Sequence, residues 1–359
     1  MGQVARQAEI GARRRAQAFL AADVGGTHAR VATVRVDAGA SLPVEVLQYR
    51  KYVCADYAGL EQILEDFLRG IGSDHVDAGA IACAGYALDG TLINANLPWT
   101  VKLSSLRQHL GLRDIALVND FEAVAYATQF VSSDDTVLMT GRAKTSAAPV
   151  LVVGPGTGLG AALRIPSANG ALILPTEAGH AALAPANELE LAIVSLLMKR
   201  SGHVANEHLL SGPGLFNLYS CLCELRGVTP TLTSPAAITA AAQSQNDALA
   251  LEALDVFCGL LGSVVGDMVL IYGAEGGVYL AGGIPAQIKP FLLRSRFVER
   301  FLNKGPLRAL LETVPVWLID HGQLGVIGAA TWYAQQHPDN PHSDSPHLDS
   351  NTTAAGSRR

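Results

Sequence analysis

The chain has 359 residues, of which 49% are apolar and only 16% charged, with a formal net charge of -6. That length accommodates two domains with real cores. The charge balance and the lack of a long basic stripe argue against nucleic acid as a main partner, because phosphate-backbone binding needs clustered Lys and Arg.

Residues 1–18 are polar and Arg-rich and are expected to be disordered. Arg13, Arg14 and Arg15 precede AFLAA, a stretch shorter than the roughly 7–15 apolar residues of a secretion signal. A cytoplasmic protein is expected. FLAADVGGTHARVATVRV, from Phe19 to Val36, reads as strand, glycine turn, strand. VEVLQYRKYV reads as a third strand. Leu60, Ile63, Leu64, Phe67 and Leu68 mark an amphipathic helix. AGAIACAG is a buried strand, and SSLRQHLGL is a helix with Ser104 or Ser105 as its cap. IALVND is another buried strand, and FEAVAYATQF continues as a helix. Strands alternate with helices, so the chain is α/β. SSDDT at 132–136 breaks the pattern and suits a domain junction.

PVLVVGPGTGLGAALRI at 149–165 repeats the opening device: an apolar run, a glycine turn bearing Thr, and a second apolar run with an Arg. Two such stretches suggest duplicated α/β halves. LELAIVSLLMKR and GPGLFNLYSCLCELRG are helical, and long helices follow from PAAITAAAQ onward. VFCGLLGSVVGDMVLIYGA carries Asp267 and several glycines, so a buried helix and strand are expected there, and no membrane span. GGVYLAGG and VPVWLID are strands, and GVIGAATWYAQQ is the last helix. Residues 337–359 hold almost nothing that could be buried and are expected to be disordered. The five cysteines are odd in number and sit in apolar segments without a C-x-x-C pair, which points to buried reduced thiols.

Glycine turns between strands leave backbone N–H groups free to point at one anion. That is the functional reading of Asp23–Thr27 and of Gly154–Gly160; two ordinary hairpins are the plain one. No G-x-x-x-x-G-K-[ST] occurs. Gly156, Gly158 and Ala161 fit G-x-G-x-x-A, but that motif must open a long helix, and AALRI runs at once into Pro166. A dinucleotide site is therefore not expected. Asp23 beside phosphates would repel them unless a cation intervened, which suits Mg²⁺ held through water; an Asx-type turn is the alternative. Asn119 and Asp120 end a strand, where α/β proteins place ligands, and the pair can orient a hydroxyl and take its proton. Asp120 could equally cap the next helix. Glu177 and His180 stand three apart in PTEAGH, a pattern suited to hydroxyl recognition. Glu207 adds an acid that alone would read as surface.

DVGGT, NDF, GTGLG, E-x-G-H, LSGPG and LAGG, in this order, resemble the zinc-free bacterial glucokinases of the hexokinase/actin-like ATPase superfamily. The resemblance covers about residues 19–336. The C-x-C-G-x-x-G-C zinc motif of the related repressor and sugar-kinase (ROK) group does not occur, so no structural zinc is expected. The resemblance implies a two-domain actin-like ATPase/sugar kinase fold of duplicated ribonuclease-H-like domains with a cleft between them. The small domain would be 19–131 plus 321–336, its last helix returning from the chain's end, and the large domain 132–320. It implies ATP and glucose as substrates, Mg²⁺ as cofactor and a homodimer. Asp120 would be the catalytic base. Asn119, Asp120, Glu177, His180 and Glu207 would hold the sugar. Ala22, Asp23, Val24, Gly25, Gly26 and Thr27 would form one phosphate segment, and Gly156, Thr157 and Gly158 the other. Gly282 and Gly283 would lie on the adenosine side.

Two positions depart from the family pattern: His28 stands where Asn is usual, and Ala178 where Gly is common. Other hexoses, such as mannose or glucosamine, are alternative substrates. A non-catalytic sugar-sensing regulator would carry a helix-turn-helix domain before Phe19, where only 18 residues stand. A pure ATPase or filament protein would lack the Asn-Asp and Glu/His set.

Overall fold

The computed structural model describes residues 18–337, apart from short stretches at 37–43, 73–75, 89–90, 94–96, 98, 143–145, 168–169 and 320–321. The N-terminal segment and the tail after His337, both expected to be disordered, lie outside the described residues.

The first half opens with β1 (Phe19–Val24), β2 (His28–Val36) and β3 (Val44–Val53). Helix α1 (Leu60–Ile71) leads to β4 (Ala78–Cys83). A small sheet of β5 (Tyr86–Leu88), β6 (Thr91–Ile93) and β7 (Val101–Lys102) precedes α2 (Leu103–Leu110). Then come β8 (Asp114–Val118) and α3 (Asp120–Ala127). The main sheet has the order β3-β2-β1-β4-β8. Its first three strands are antiparallel, and β1, β4 and β8 are parallel. Side chains alternate across β1 because a strand has period two. Leu20, Ala22 and Val24 pack with the apolar face of α1, and Phe19 and Ala21 with residues near the chain's end.

The second half starts with β9 (Thr136–Thr140), β10 (Val150–Pro155), β11 (Leu159–Ser167) and β12 (Gly170–Thr176). The helices α4 (Glu188–Met198), α5 (Gly212–Arg226), α6 (Pro235–Gln243) and α7 (Ala248–Tyr272) follow. After β13 (Gly277–Leu280) come four short helices: α8 (Gly283–Gln287), α9 (Lys289–Leu292), α10 (Phe297–Leu302) and α11 (Arg308–Leu311). β14 (Val316–Ile319) and α12 (Leu324–Gln336) complete the order. The sheet runs β12-β11-β10-β13-β14-β9. β10 repeats the place of β1, with an antiparallel hairpin on one side and two parallel strands on the other. The duplication read from the two glycine turns is thus a shared topology, and β9 is an addition at one edge.

Two local expectations are corrected. Lys102 holds the N-cap position of α2, and Ser104 and Ser105 lie inside its first turn. The chain has already turned out of β7, so the helix begins before either serine can cap it. VFCGLLGSVVGDMVLIYGA contains no strand: α7 is helical to Tyr272 and stops at Gly273, whose φ of 61° is the left-handed cap. Gly262 and Gly266, four apart on that helix, admit the backbone of α10; a methyl on either would crowd the carbonyl oxygens of Phe297 and Phe301. α7 is long and apolar enough to cross a membrane, yet most of it is buried inside the fold. Arg300 on α10 clamps Glu190 on α4 through two bonds of 2.5 and 3.0 Å, and its Nε donates to Ser263 on α7 at 3.0 Å. All five cysteines are buried, and none forms a disulfide.

The last helix returns to the first sheet. α12 packs on β1, β2 and β4, and Tyr333 donates to Asp114 Oδ2 at 2.6 Å. It crosses α3 where Gly328 meets the backbone carbonyl of Ala123. α3 also lies against β10, β11 and β12 of the second sheet. The two sheets therefore meet through α3. A methyl at position 328 would overlap the Ala123 oxygen. Gly328→Ala should lower stability by roughly 1–3 kcal/mol. Gly202→Ala, at a position with open space around it, should stay within about 0.5 kcal/mol of the parent. Equal denaturant midpoints for the two variants would contradict this account of the crossing.

Candidate active site

β1, β4 and β8 end side by side, since Val24 pairs with Cys83 and Ala82 with Val118. Gly25, Ala84 and Asn119 follow these ends directly. In the second sheet β10 and β13 are likewise parallel, and the chain turns at Gly156 and Gly282. The carboxyl edges enclose a cavity of about 510 Å³. It is lined by Gly25, Gly26, Asn119 and Asp120 from one half, and by Gly156, Thr157, Gly158, Glu177, His180 and Glu207 from the other. Residues distributed from 25 to 207 thus converge on one cleft.

The first turn is held from its own backbone. Gly25 N–H donates to His28 O at 3.0 Å, and Cys54 N–H donates to Thr27 O at 2.9 Å. The buried Cys54 thiol donates to Gly25 O at 3.3 Å. Gly25 has no positive φ, and a Cβ there would meet nothing nearer than His28 O at 3.6 Å. The protein's own packing does not demand glycine at this position. Ala22 and Val24 point into the core under α1, so only their backbone could serve a ligand. Thr27 is exposed and does not line the cavity. Asp23 stands opposite Arg30 in the β1–β2 ladder, and its Oδ2 accepts from Arg30 at 3.0 Å. Burial raises the Asp23 carboxyl above its usual range, against the pull of Arg30. His28 heads β2 opposite Val53, away from the cavity lining. Burial, Lys51 and Arg30 together lower its pKa.

The second turn divides by glycine. Gly154 and Gly160 are cross-strand partners, and the Phe121 ring lies against both. A Cβ on Gly154 would sit 3.1 Å from Phe121 Cζ, and one on Gly160 would overlap the ring. A Cβ on Gly158 would sit 2.8 Å from Glu207 Oε2. Only Gly156 faces open space among the four. The reading of Gly154–Gly160 as one anion cradle is therefore narrowed, because Gly160 makes room for the Phe121 ring and Gly154 for the Ala281 carbonyl, which a Cβ there would overlap. Gly212 N–H, at the start of α5, donates to Gly156 O at 2.8 Å and steadies the turn. β11 continues as a strand, which removes the dinucleotide motif. Gly282 has a φ of 94° and stands against Pro155 O, so glycine is required there by backbone geometry. Gly283 opens α8, and neither glycine lines the cavity.

Asn119, and not Asp120, caps α3. Its Oδ1 accepts from Phe121 N–H at 3.0 Å and from Glu122 N–H at 3.1 Å. With the oxygen engaged, the Nδ2 donors are what the amide presents elsewhere. Asp120 is the first residue of α3, and its Oδ1 accepts from Phe121 N–H at 2.9 Å. Burial pushes its carboxyl up to about 6, and the nearby Asp23 and Glu177 carboxylates add to the rise. The backbone N–H bonds act in the other direction.

Glu177, His180 and Glu207 meet because two short 3-10 turns are clamped together. Asn206, buried, donates to Ala178 O at 3.0 Å, and Asn206 N–H donates to Ala181 O at 2.9 Å. His180 Nδ1 lies 3.5 Å from Glu207 Oε1, and His180 Nε2 4.0 Å from Glu177 Oε2. A bond of 2.9 Å joins the His203 ring to His180 O, giving that histidine a supporting place. Ala178 is buried in this segment without a positive φ, so the methyl is tolerated. Ala84, Gly85, Phe121 and Thr176 also line the cavity and were not foreseen. For Ala84 and Gly85 the signal was available: they end a third buried strand, as Gly25 and Asn119 end theirs.

The glucokinase family model matches residues 20–336. A glucokinase-like protein of Xylella fastidiosa (strain 9a5c) is 52% identical over 316 residues, which cover 88% of this chain and 94% of that protein. A glucokinase of Marinobacter nauticus is 39% identical over 312 residues, covering 87% and 95%. The glucokinase of an Antarctic psychrotroph shares the fold with a TM-score of 0.75 at 32% identity, covering 88% of this chain and 98% of its own. A ROK family glucokinase from Streptomyces griseus, solved with glucose and AMPPNP, gives a TM-score of 0.60 at 20% identity, covering 89% and 99%. The architecture is that of the duplicated, actin-like sugar kinases.

Cys54 offers a test of the first turn. The bond is made within the protein, so its loss acts on stability. Cys54→Ala should lower stability by about 1 kcal/mol, while Cys54→Ser, which keeps a donor, should lose less. Denaturant melts read both, and a Cys54→Ala midpoint equal to the parent's would remove the thiol from this role.

Proposed function

The chain belongs to the glucokinase family, and from that premise we propose how its cleft works. The reaction is ATP-dependent phosphorylation of D-glucose at the 6-hydroxyl, giving glucose 6-phosphate and ADP. Asp120 takes the hydroxyl proton as the terminal phosphoryl group passes to that oxygen. Its place carries this reading: Asp120 lines the cleft beside Asn119 at the carboxyl end of β8, with the glycine turns across the same cavity, and its raised pKa leaves it ionised at working pH yet proton-accepting. Asn119 orients the hydroxyl through the donors its capping role leaves over. Glu177, His180 and Glu207 hold the remaining hydroxyls. Glycine at 25, 26, 156 and 158 keeps side chains clear of the phosphates, which the N–H groups of Gly26, Thr157 and Gly158 would meet, while those of Gly25 and Gly156 donate within the turns to His28 O and Gly158 O. Gly282 and Gly283 stand on the adenosine side.

Mg²⁺ bound with ATP would offset charge on the transferring phosphoryl group. Asp23 is one carboxylate already paired with Arg30. That donor set fits contact with the ion through water and does not fit a direct ligand cage. No structural zinc enters the proposal. Residues 19–131 with 321–336 form the small domain and 132–320 the large one, and their closure over the sugar excludes water. Resemblance to the family extends the proposal to a cytoplasmic homodimer.

Asp120→Asn should lower kcat by roughly 10²–10⁴-fold in a folded protein. Near-normal turnover in a coupled assay across glucose, mannose and glucosamine would overturn the assignment. In the parent enzyme kcat/KM should fall below about pH 6 as Asp120 takes up its proton. The same shift acts on stability. The native state holds this proton up to about pH 6, whereas the unfolded chain releases it near 3.8. Between those values stability from this group falls as pH rises, and the deficit persists at neutral pH. Asp120→Asn removes it, so the inactive variant should be more stable than the parent by roughly 1–3 kcal/mol at pH 7.5, with the difference shrinking below pH 4. Thermal melts of the two proteins without ligand at both pH values check this.

A further inference from the structure

Phe121 connects the two halves of the cleft, its backbone bound in the first and its ring set against the second. Its N–H donates to Asn119 Oδ1 and Asp120 Oδ1, at 3.0 and 2.9 Å. Its ring crosses to the other sheet and lies in the notch left by Gly154 and Gly160. Those two glycines are direct partners in the β10–β11 ladder and stand at the root of the turn that carries Gly156, Thr157 and Gly158. Neither glycine has a positive φ, so backbone conformation does not explain them. The ring explains Gly160, where a Cβ would overlap it; Gly154 is required first by the Ala281 carbonyl behind it, and the ring edge then closes the remaining space at 3.1 Å. The same ring lines the cavity beside Asp120.

We propose that Phe121 is a positioning residue: its ring, seated in the Gly154–Gly160 notch, sets the distance between Asp120 and the phosphate turn and forms the apolar wall beside that carboxylate. The base sits on the first sheet and the phosphate turn on the second. The N-terminal end of α3 is registered on the second sheet by this ring. A displacement of about 1 Å between base and phosphoryl group can cost on the order of 10²-fold in rate. The ring acts on the transfer step, and Asn119, whose Oδ1 shares the Phe121 N–H, keeps that backbone bond when only the side chain is changed. The other groups that act on Asp120 stay in place: Asp23 with Arg30, Glu177 with His180, and the N–H groups at the start of α3. Loss of the wall admits water to the carboxylate and moves its titration toward the ordinary range.

The inference rests on Asp120 being the base. The test compares Phe121→Leu and Phe121→Ala with the parent and with Asp120→Asn, with rates normalised to folded protein. Phe121→Ala should lower kcat by roughly 10–100-fold while KM for glucose and for ATP moves by no more than about threefold. The acid limb of kcat/KM should shift down by about half a pH unit or more. Phe121→Leu should show the same changes in smaller degree, and it decides the matter if the alanine variant does not fold. A kcat per folded molecule within about threefold of the parent in the leucine and alanine variants, or an acid limb that stays in place, overturns the proposal. Turnover retained in Asp120→Asn sinks the base assignment instead, whatever the Phe121 variants do.

Discussion

Two helices cross with nothing but backbone between them, and the cleft depends on that crossing. α12 comes from the end of the described chain and lies on the first sheet; α3 begins with the proposed base. Gly328 lets α12 approach the Ala123 carbonyl. With its back fixed there, α3 turns Phe121 toward Gly154 and Gly160 and Asp120 toward the cavity. A wider crossing would move the N-terminal end of α3 relative to both glycine turns. Close packing transmits such strain because a core has few voids to absorb it. The connection is also economical in sequence, since one small residue on α12 and two on the β10–β11 ladder define it.

The electrostatics of the cleft run against folding. Asp23, Asp120, Glu177 and Glu207 gather on one cavity or at its edge. Arg30 compensates Asp23, and His180 lies between the two glutamates. Asp120 has only N–H groups at the start of its helix, and burial outweighs them. A site that must remove a proton near neutral pH needs such a carboxylate, and stability is reduced by holding it. The second half meanwhile buries a large apolar core, with the Glu190–Arg300 clamp fully paired inside it.

The glycines show how far a sequence can be read. DVGGT and GPGTGLG look alike along the chain, and both were legible as turns that admit an anion. In space they differ. Gly25 and Gly156 meet no side chain, whereas Gly160 makes room for Phe121, Gly154 for the Ala281 carbonyl and the edge of that ring, and Gly158 for Glu207. Apart from Asn119 and Asp120, the residues proposed to hold the sugar were legible only as separate hints in PTEAGH and NEH. Asn206, which ties those segments together, has no signature in the linear pattern. His28 is the opposite case: it stands out against the family pattern, yet it lies away from the cavity lining, and no cleft contact accounts for it.

Strand and helix alternation, the doubled glycine turn and the order of six motifs are local properties of the chain. They sufficed for the α/β class and pointed to the duplication, because residue periodicity and turn chemistry act between near neighbours, while the reaction class came from the family resemblance that the six motifs carry. The cap on α3, the unbroken helix α7, the notch for Phe121 and the raised pKa of Asp120 were decided only by tertiary structure. Apart from the cap and α7's continuity, each depends on atoms that the sequence places far apart; those two depend on where neighbouring elements leave the chain. Packing, burial and charge act through space, and their sign at one residue is set by what the fold brings beside it.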